Sequence, residues 1–360
     1  MLHFDTIDAL CAAASAPADE AARAEAHRRW ASLAHPLGSL GALETMLEDA
    51  AALTGSADLS FEKRAVLVLC ADNGVVARGV TQTGPEATAA VARGLAAGRS
   101  PVCRMAQAAR CAVVPVDMGI LDFAPTAGVL SRRVGNGTAD ITRGPAMTRA
   151  QAEQAVLTGA ALAAAQAGAG VRLLATGEMG IGNTTTSAAV ACTLLGRPAE
   201  DFTGRGAGLS DAGLACKVAA VRAALAVNRP DPADPLDVLA KVGGFDLAGL
   251  CGVFLGGAAA RVPVLADGLI STVAALCAVR LCPGAGKAVF ASHVSAEPAG
   301  QAVLDALGRR PLITAGMRLG EGTGAVASIP LWEMARAVYA ESYSFAQCGV
   351  AAYTPQQGGV

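Results

Sequence analysis

Several features common in other protein classes are missing from this chain. No window of about eighteen strongly apolar residues is free of a charge, proline or glycine, the length a spanning helix needs. Hydrophobic residues make up 53% of the 360, but alanine and glycine carry much of that share, so no membrane segment is expected. Basic residues are not in excess: 28 Lys and Arg against 30 Asp and Glu, mixed along the chain, give a net charge of −2. A nucleic-acid partner would call for a basic stripe and is not expected. Histidine occurs only at His3, His27, His35 and His293, too scattered to suggest a metal cluster. The ten cysteines include no Cys-x-x-Cys among the late ones, where Cys277 and Cys282 come nearest. They are expected as small buried thiols in a reducing compartment, not as a disulfide or metal framework. The N-terminal stretch has early acids and no basic patch before an apolar core. No signal peptide is expected there, and the location expected is cytoplasmic.

What is present is a repeating unit. Residues 5–58 are alanine-rich with charges at helical spacing, broken at "HPLGSLG" (35–41). Then "RAVLVLCADNG" (64–74) is a short apolar run ending in turn residues, the pattern of a buried parallel strand. Similar runs recur at 111–120, 171–183, 262–271 and 288–297, and "PLITAGMRLGEGTGA" (311–325) closes the series. Alanine-rich helical segments lie between them. Strand, polar loop and helix in alternation predict an α/β fold with a mainly parallel sheet flanked by helices. In such sheets ligands bind beyond the carboxyl ends of the strands. Those ends carry Asp72, Asp117, Glu178, Asp267, Glu297 and Glu321, and buried unpaired carboxylates are costly. One polar pocket is expected to gather them. The Gly-, Asp- and Pro-rich stretch 198–248 is expected to pass over the ligand face.

The stretch "GEMGIGNTTTSAAV" (177–190) places Gly180 and Gly182, which allow close backbone approach, before Asn183, Thr184 and Thr185 at a helix start. Backbone N–H groups there favour a phosphate. No lysine follows the glycines, so this is not a nucleoside-triphosphate loop, and the Gly-x-Gly fragment is too short to indicate a dinucleotide. A well-capped helix after a glycine turn fits the same residues; Glu178 is the residue such a turn does not need. In "MRLGEGTGAV" (317–326), Glu321 stands between two glycines ahead of a second helix. A carboxylate partly withdrawn from water has raised proton affinity and suits general-base work, although an acid assisting a helix N-terminus reads equally well. Weaker signals are Thr81, Thr83 and Glu86 in one loop, Arg205 and Lys217 near glycines, and Ser292, Ser295 and Glu297 at another strand end. No Gly-x-Ser-x-Gly elbow occurs, so an esterase is not expected.

Taken together and in order, "ADNGVV…GVTQTG", "GEMGIGNTTTSAA", "GRGAG…K" and "LGEGTGA" resemble the nicotinate-nucleotide–dimethylbenzimidazole phosphoribosyltransferase (CobT) family over nearly the whole chain, from "HPLGSLGALE" (35–44) onward. The resemblance implies phosphoribosyl transfer from nicotinate mononucleotide to 5,6-dimethylbenzimidazole, a homodimer, and no metal or other cofactor. It implies a Rossmann-like large domain, residues 63–330, and a small helical domain from both chain ends, residues 1–62 and 331–360. Glu321 then corresponds to the general base, with Glu178 a second carboxylate that orients or partly compensates for it. Gly180, Gly182, Asn183, Thr184, Thr185, Gly206, Gly208, Lys217 and Ser295 match positions around the nucleotide. Thr81, Pro85, Glu86, Met179, Leu319 and Gly320 match the base site. Two positions depart from the pattern: Asn73, where many members carry His, and Pro85, where Gln is expected after "TQTG". The second departure bears on which base is accepted. Other acceptors (another benzimidazole, a purine or a phenol) and a non-catalytic nucleotide sensor are the competing expectations.

Overall fold

The computed structural model describes residues 2–354; Met1 and residues 355–360 of the expected small domain lie outside them. Six strands form one sheet: β1 (Arg64–Ala71), β2 (Ala112–Gly119), β3 (Leu130–Ser131), β4 (Leu173–Met179), β5 (Val264–Ala266) and β6 (Val289–Ala291). Every pairing is parallel. β1, at the centre, is buried along its whole length, which is why its sequence is a continuous apolar run and does not alternate. The spatial order is β3-β2-β1-β4-β5-β6. That is the doubly wound Rossmann order, and it reverses direction between β1 and β4, where the carboxyl ends part to leave a crevice. Register places Cys70 of β1 beside both Asp117 of β2 and Met179 of β4.

The helix Phe245–Ala260 is buried from Phe245 to Ala258, so its apolar residues run all round and mark it as a core element. It packs on the helix Arg149–Gly168 at very short range: a Cβ on Gly256 would lie 2.7 Å from Cα of Ala160. Small side chains on both helices permit that approach. This is the structural use of the chain's alanine and glycine.

The N-terminal segment forms three helices, Ile7–Ala14, Glu20–Ser32 and Ala42–Thr54, with the expected break at 35–41 and another at 15–19. The helix Thr323–Glu341 joins them: Trp332 packs edge-on against Phe61 and Phe290, and Tyr339 against Trp30. That helix runs unbroken through residue 330, where the family resemblance puts the end of the large domain.

One expected element is replaced. Residues 311–325 do not supply a strand; they contribute a single bridge, Ile313 with His293, and the sixth strand is the two-residue β3. Gly316, Gly320, Glu321 and Gly322 all have positive φ, which breaks an extended run. β3 is exposed and too short to leave an apolar signature. The stretch 198–248 holds the helices Asp211–Asn228 and Pro235–Val242 together with irregular loops.

Candidate active site

A cavity opens at the switch point. Glu178 and Met179 end β4, and the chain turns through Gly180, Ile181 and Gly182 into the helix Asn183–Leu195. Gly180 must be glycine, because a Cβ would meet the Ala71 carbonyl and come within 2.8 Å of Asp246 Oδ2. The loop 320–322 lies flat on β4: the Glu321 N–H donates to the Glu178 carbonyl at 3.2 Å, and a Cβ on Gly177 would strike the Glu321 backbone. Glu321 itself sits at φ +60°, a left-handed conformation that costs a non-glycine residue about 1–2 kcal/mol. Asp267, just after β5, holds that strained loop by accepting from the Gly322, Gly324 and Ala325 N–H groups at 2.7–3.1 Å. Three backbone donors on one buried carboxylate cap the helix Thr323–Glu341 and fix where Glu321 points.

The two glutamates have different surroundings. The Glu321 carboxylate faces the start of the helix Pro101–Ala108, accepting from the Val102 N–H at 3.4 Å. Burial raises its pKa, and the Val102 and Ser100 hydrogen bonds pull the other way. Glu178 is pushed up to about 8, first by burial and next by Asp246; Asp267 and Glu321 add repulsion, while Asn183 opposes it. Asp246, on the helix Phe245–Ala260, is fully buried and raised to about 6, again chiefly by burial. The Asn183 amide donates to both Glu178 and Asp246.

Lys217, on the helix Asp211–Asn228, is buried behind the helix start and donates to Thr184 Oγ1 at 2.7 Å. Burial lowers its pKa to about 8, and Glu297 partly offsets this. Gly206 lies against both groups, since a Cβ there would be 3.2 Å from Lys217 Nζ. Across the mouth, Gln82 Nε2 donates to the Ala207 and Gly208 carbonyls, tying two loops together.

Of the residues expected from sequence, Thr81, Glu178, Met179, Gly180, Gly182, Asn183, Thr184, Gly206, Ser295, Leu319, Gly320 and Glu321 line this one cavity. Lys217 stands directly behind Thr184. Thr185 is fully buried in the helix and Gly208 contributes its carbonyl to Gln82, so neither forms the wall. Pro85 and Glu86 do not line it either. Pro85 precedes the helix Glu86–Ala96, and Glu86 turns back to accept from the Gly84 N–H. Four of the six strand-end acids reach the cavity: Glu178, Asp267, Glu297 and Glu321. Asp72 and Asp117 do not, because each is consumed in local bonds: Asp72 with the Thr88 hydroxyl and Leu121 N–H, Asp117 with Arg133 and the Ile120 N–H. Arg205 pairs with Asp211 at the surface. Ser292 donates to the Ala266 carbonyl as well as meeting His293, so it is no triad nucleophile.

The sequence reading missed Gln82, Arg318, His293 and Ser271 on the wall, and Asp246 behind it. "GGFD" before a core helix was the available signal for Asp246. Among the described residues no cluster of three or more His, Cys, Asp or Glu could hold a metal ion, and no helix is long and apolar enough to cross a membrane. All ten cysteines are free thiols, six of them buried.

Comparison with known proteins bears directly on this geometry. Residues 15–350 match the Phosphoribosyltransferase family designated DBI_PRT. The nicotinate-nucleotide–dimethylbenzimidazole phosphoribosyltransferase of Acetivibrio thermocellus is 45% identical over 91% of this chain and 94% of its own. The protein of that name from Roseiflexus sp. (strain RS-1) is 47% identical over 93% of this chain and 95% of its own. The crystal structure of CobT from Thermus thermophilus superposes with a TM-score of 0.88, at 40% identity, over 92% of this chain and all of that one. A near-full-length family match, high identity and a shared fold agree, and the chain belongs to the nicotinate-nucleotide–dimethylbenzimidazole phosphoribosyltransferase family.

Proposed function

We propose that the chain transfers the phosphoribosyl group of nicotinate mononucleotide to 5,6-dimethylbenzimidazole, with Glu321 as general base. The bond from ribose C1′ to the pyridinium nitrogen breaks, and its electron pair leaves with nicotinate. An azole nitrogen forms the new bond to C1′, and the azole N–H proton passes to the Glu321 carboxylate, giving α-ribazole 5′-phosphate. The leaving group is already cationic and needs no acid. What the chemistry requires is a base, a held phosphate and negative charge near the developing oxocarbenium ion.

The observation that carries this reading is the pair of carboxyl groups on one cavity wall, linked by the Glu321 N–H to Glu178 carbonyl bond. The helix start at Asn183 and Thr184, with Lys217 behind Thr184, supports a phosphate position in the same cavity. A phosphate dianion there would restore the charge that burial disfavours on Lys217. Thr81, Met179, Leu319 and Gly320 offer the flatter, less polar wall to the acceptor ring.

Incubation of the purified protein with nicotinate mononucleotide and a mixture of bases, followed by mass detection, tests the proposal. Nicotinate and a ribazole phosphate should form in equal amounts without added metal. Binding of the mononucleotide with no nicotinate released under any acceptor would sink it in favour of a sensor. A dominant product with a different benzimidazole, a purine or a phenol would replace the acceptor and leave the phosphoribosyl half standing. A homodimer is part of the proposal, and light scattering should give twice 35.7 kDa.

A further inference from the structure

Four carboxyl groups crowd the switch point: Glu178, Asp246, Asp267 and Glu321, all at most 8% exposed. Asp267 is neutralised in part by three backbone donors, with His293 Nδ1 3.9 Å away. Glu321 has a helix start before it. Glu178 and Asp246 share one donor, the Asn183 amide, whose Nδ2 lies 3.0 Å from Asp246 Oδ2 and also contacts Glu178 Oε2. Among the described residues no lysine or arginine forms an ion pair with Glu178, Asp246 or Glu321. Arg318 lines the cavity but is exposed. Asp246 receives in addition the Leu247 N–H at 3.0 Å. Asn73 closes its box with an unpartnered Oδ1, an acceptor that cannot compensate a negative charge. Two buried carboxylates joined through one amide, without a cation, cannot both stay ionised, so a proton must reside on one of them. Asp246 has the additional backbone donor, and Glu178 does not.

We infer that Asp246 is a positioning residue that, held close to Glu178 on the shared Asn183 amide, keeps Glu178 protonated at neutral pH by its own charge, so that the pocket holds Glu178 as a hydrogen-bond donor and Glu321 as the ionised base. The inference rests on the transferase reading for its catalytic consequence, but the protonation state itself does not. The groups facing Glu178 are Cys70 from β1, Asp246 from the core helix, Asp267 after β5, Glu321 from the 320–322 loop and Asn183 from its own turn. Asp72 faces Asp246 in turn. Among these only Asp246 is bonded to the same amide as Glu178. A neutral Glu178 can donate to the carboxylate of the nicotinate ring, which an ionised one would repel. It also leaves Glu321, and not Glu178, to take the azole proton.

Infrared difference spectroscopy of the whole protein at pH 7, wild type against Glu178→Gln, reads the proton directly. A protonated-carboxyl carbonyl band present in wild type and lost in E178Q is expected; its absence from wild type overturns the inference whether or not the enzyme turns over. Asp246→Asn should weaken that band and move the alkaline limb of kcat/KM down by about one pH unit, a tenfold change in the ionisation constant. E178Q should lack that limb, and adding D246N should shift none that remains. A D246N shift of equal size in both backgrounds would show that Asp246 acts elsewhere. If D246N does not fold, the E178Q band still decides, and failure of wild type to release nicotinate would count against the transferase reading alone.

Discussion

The two halves of the sheet's carboxyl edge carry acids in similar sequence positions and put them to different uses. On the β1–β2 side, Asp117 takes Arg133 at 2.7 Å and the Ile120 N–H at 2.8 Å, while Asp72 takes a hydroxyl at 2.6 Å and a backbone N–H at 2.8 Å. Each of these carboxylates is satisfied by the loop that follows its own strand or by a neighbouring element. On the β4–β5 side, Glu178 and Glu321 keep oxygen lone pairs toward a cavity and have no cation beside them. Burial costs a carboxylate several kcal/mol unless partners repay it. On the paired half local donors offset that cost, only in part for Asp72, whose pKa burial still raises, and the unpaired half holds reactivity at stability's expense. An acid at a strand end marks the ligand face; its lack of partners marks the site.

The sharpest break in that comparison is Glu321→Gln, which keeps shape and removes the base. Turnover should fall by about 10²- to 10⁴-fold, the usual contribution of general-base catalysis, with the mononucleotide's KM changed little. Near-normal turnover in steady-state assays would move the base role elsewhere. Next in size is Glu178→Gln, read by urea unfolding at several pH values. Glu178 is raised from 4.5 to about 8, so below pH 4.5 both folded and unfolded chains hold its proton and nothing is lost. Between 4.5 and 8 the unfolded chain gives up the proton that the folded one retains, so stability falls as pH rises, with the full loss above 8. Glutamine removes that dependence. E178Q should be more stable than wild type by about 2–4 kcal/mol at pH 9 and nearly equal to it at pH 4.5. A constant difference across that range would contradict a raised Glu178.

Asp117→Asn tests the other half. It leaves Arg133 half-buried and short of its partner, so a loss of about 2 kcal/mol in unfolding free energy is expected, with kcat and KM within about twofold of wild type. A large kinetic effect would mean that the paired half also shapes the cavity.

How far the sequence carries this comparison differs between its halves. Long apolar runs mark β1, β2 and β4 because both faces are buried along all of β1, nearly all of β4 and the second half of β2. β3 could not be read, since two exposed residues make a strand only through pairing with Val116 and Asp117. The run at 311–325 misled because apolar content cannot show that three glycines and Glu321 take positive φ. Glu178 and Glu321 were legible as acids placed where turns do not need them. Asp246 was not, because it lies sixty-odd residues further along the chain in a helix, and only the crossing of that helix under the loop makes it a neighbour. The family resemblance puts Pro85 and Glu86 at the base site, whereas here they stand at the start of the helix Glu86–Ala96, off the cavity wall.

Thr88 provides the smallest test, because it is a physical link between the two halves. Its hydroxyl donates to Asp72 on the paired side and accepts the Ile181 N–H at 3.1 Å from the loop that enters the site. Thr88 is fully buried, so Thr88→Val keeps the volume and removes only the hydroxyl. One oxygen of Asp72 and one backbone N–H then lose their partners, at a cost of about 1–2 kcal/mol, part of which water entering the cavity can recover. Because the turn at 180–182 would keep its glycine geometry but lose a tether, KM for the mononucleotide should rise by a few-fold while kcat holds. Equal losses in kcat and KM would mean that the tether positions the reacting groups themselves. No change in either would show that the site half is held by β4 and the 320–322 loop alone, and that the paired half does no more than close the sheet.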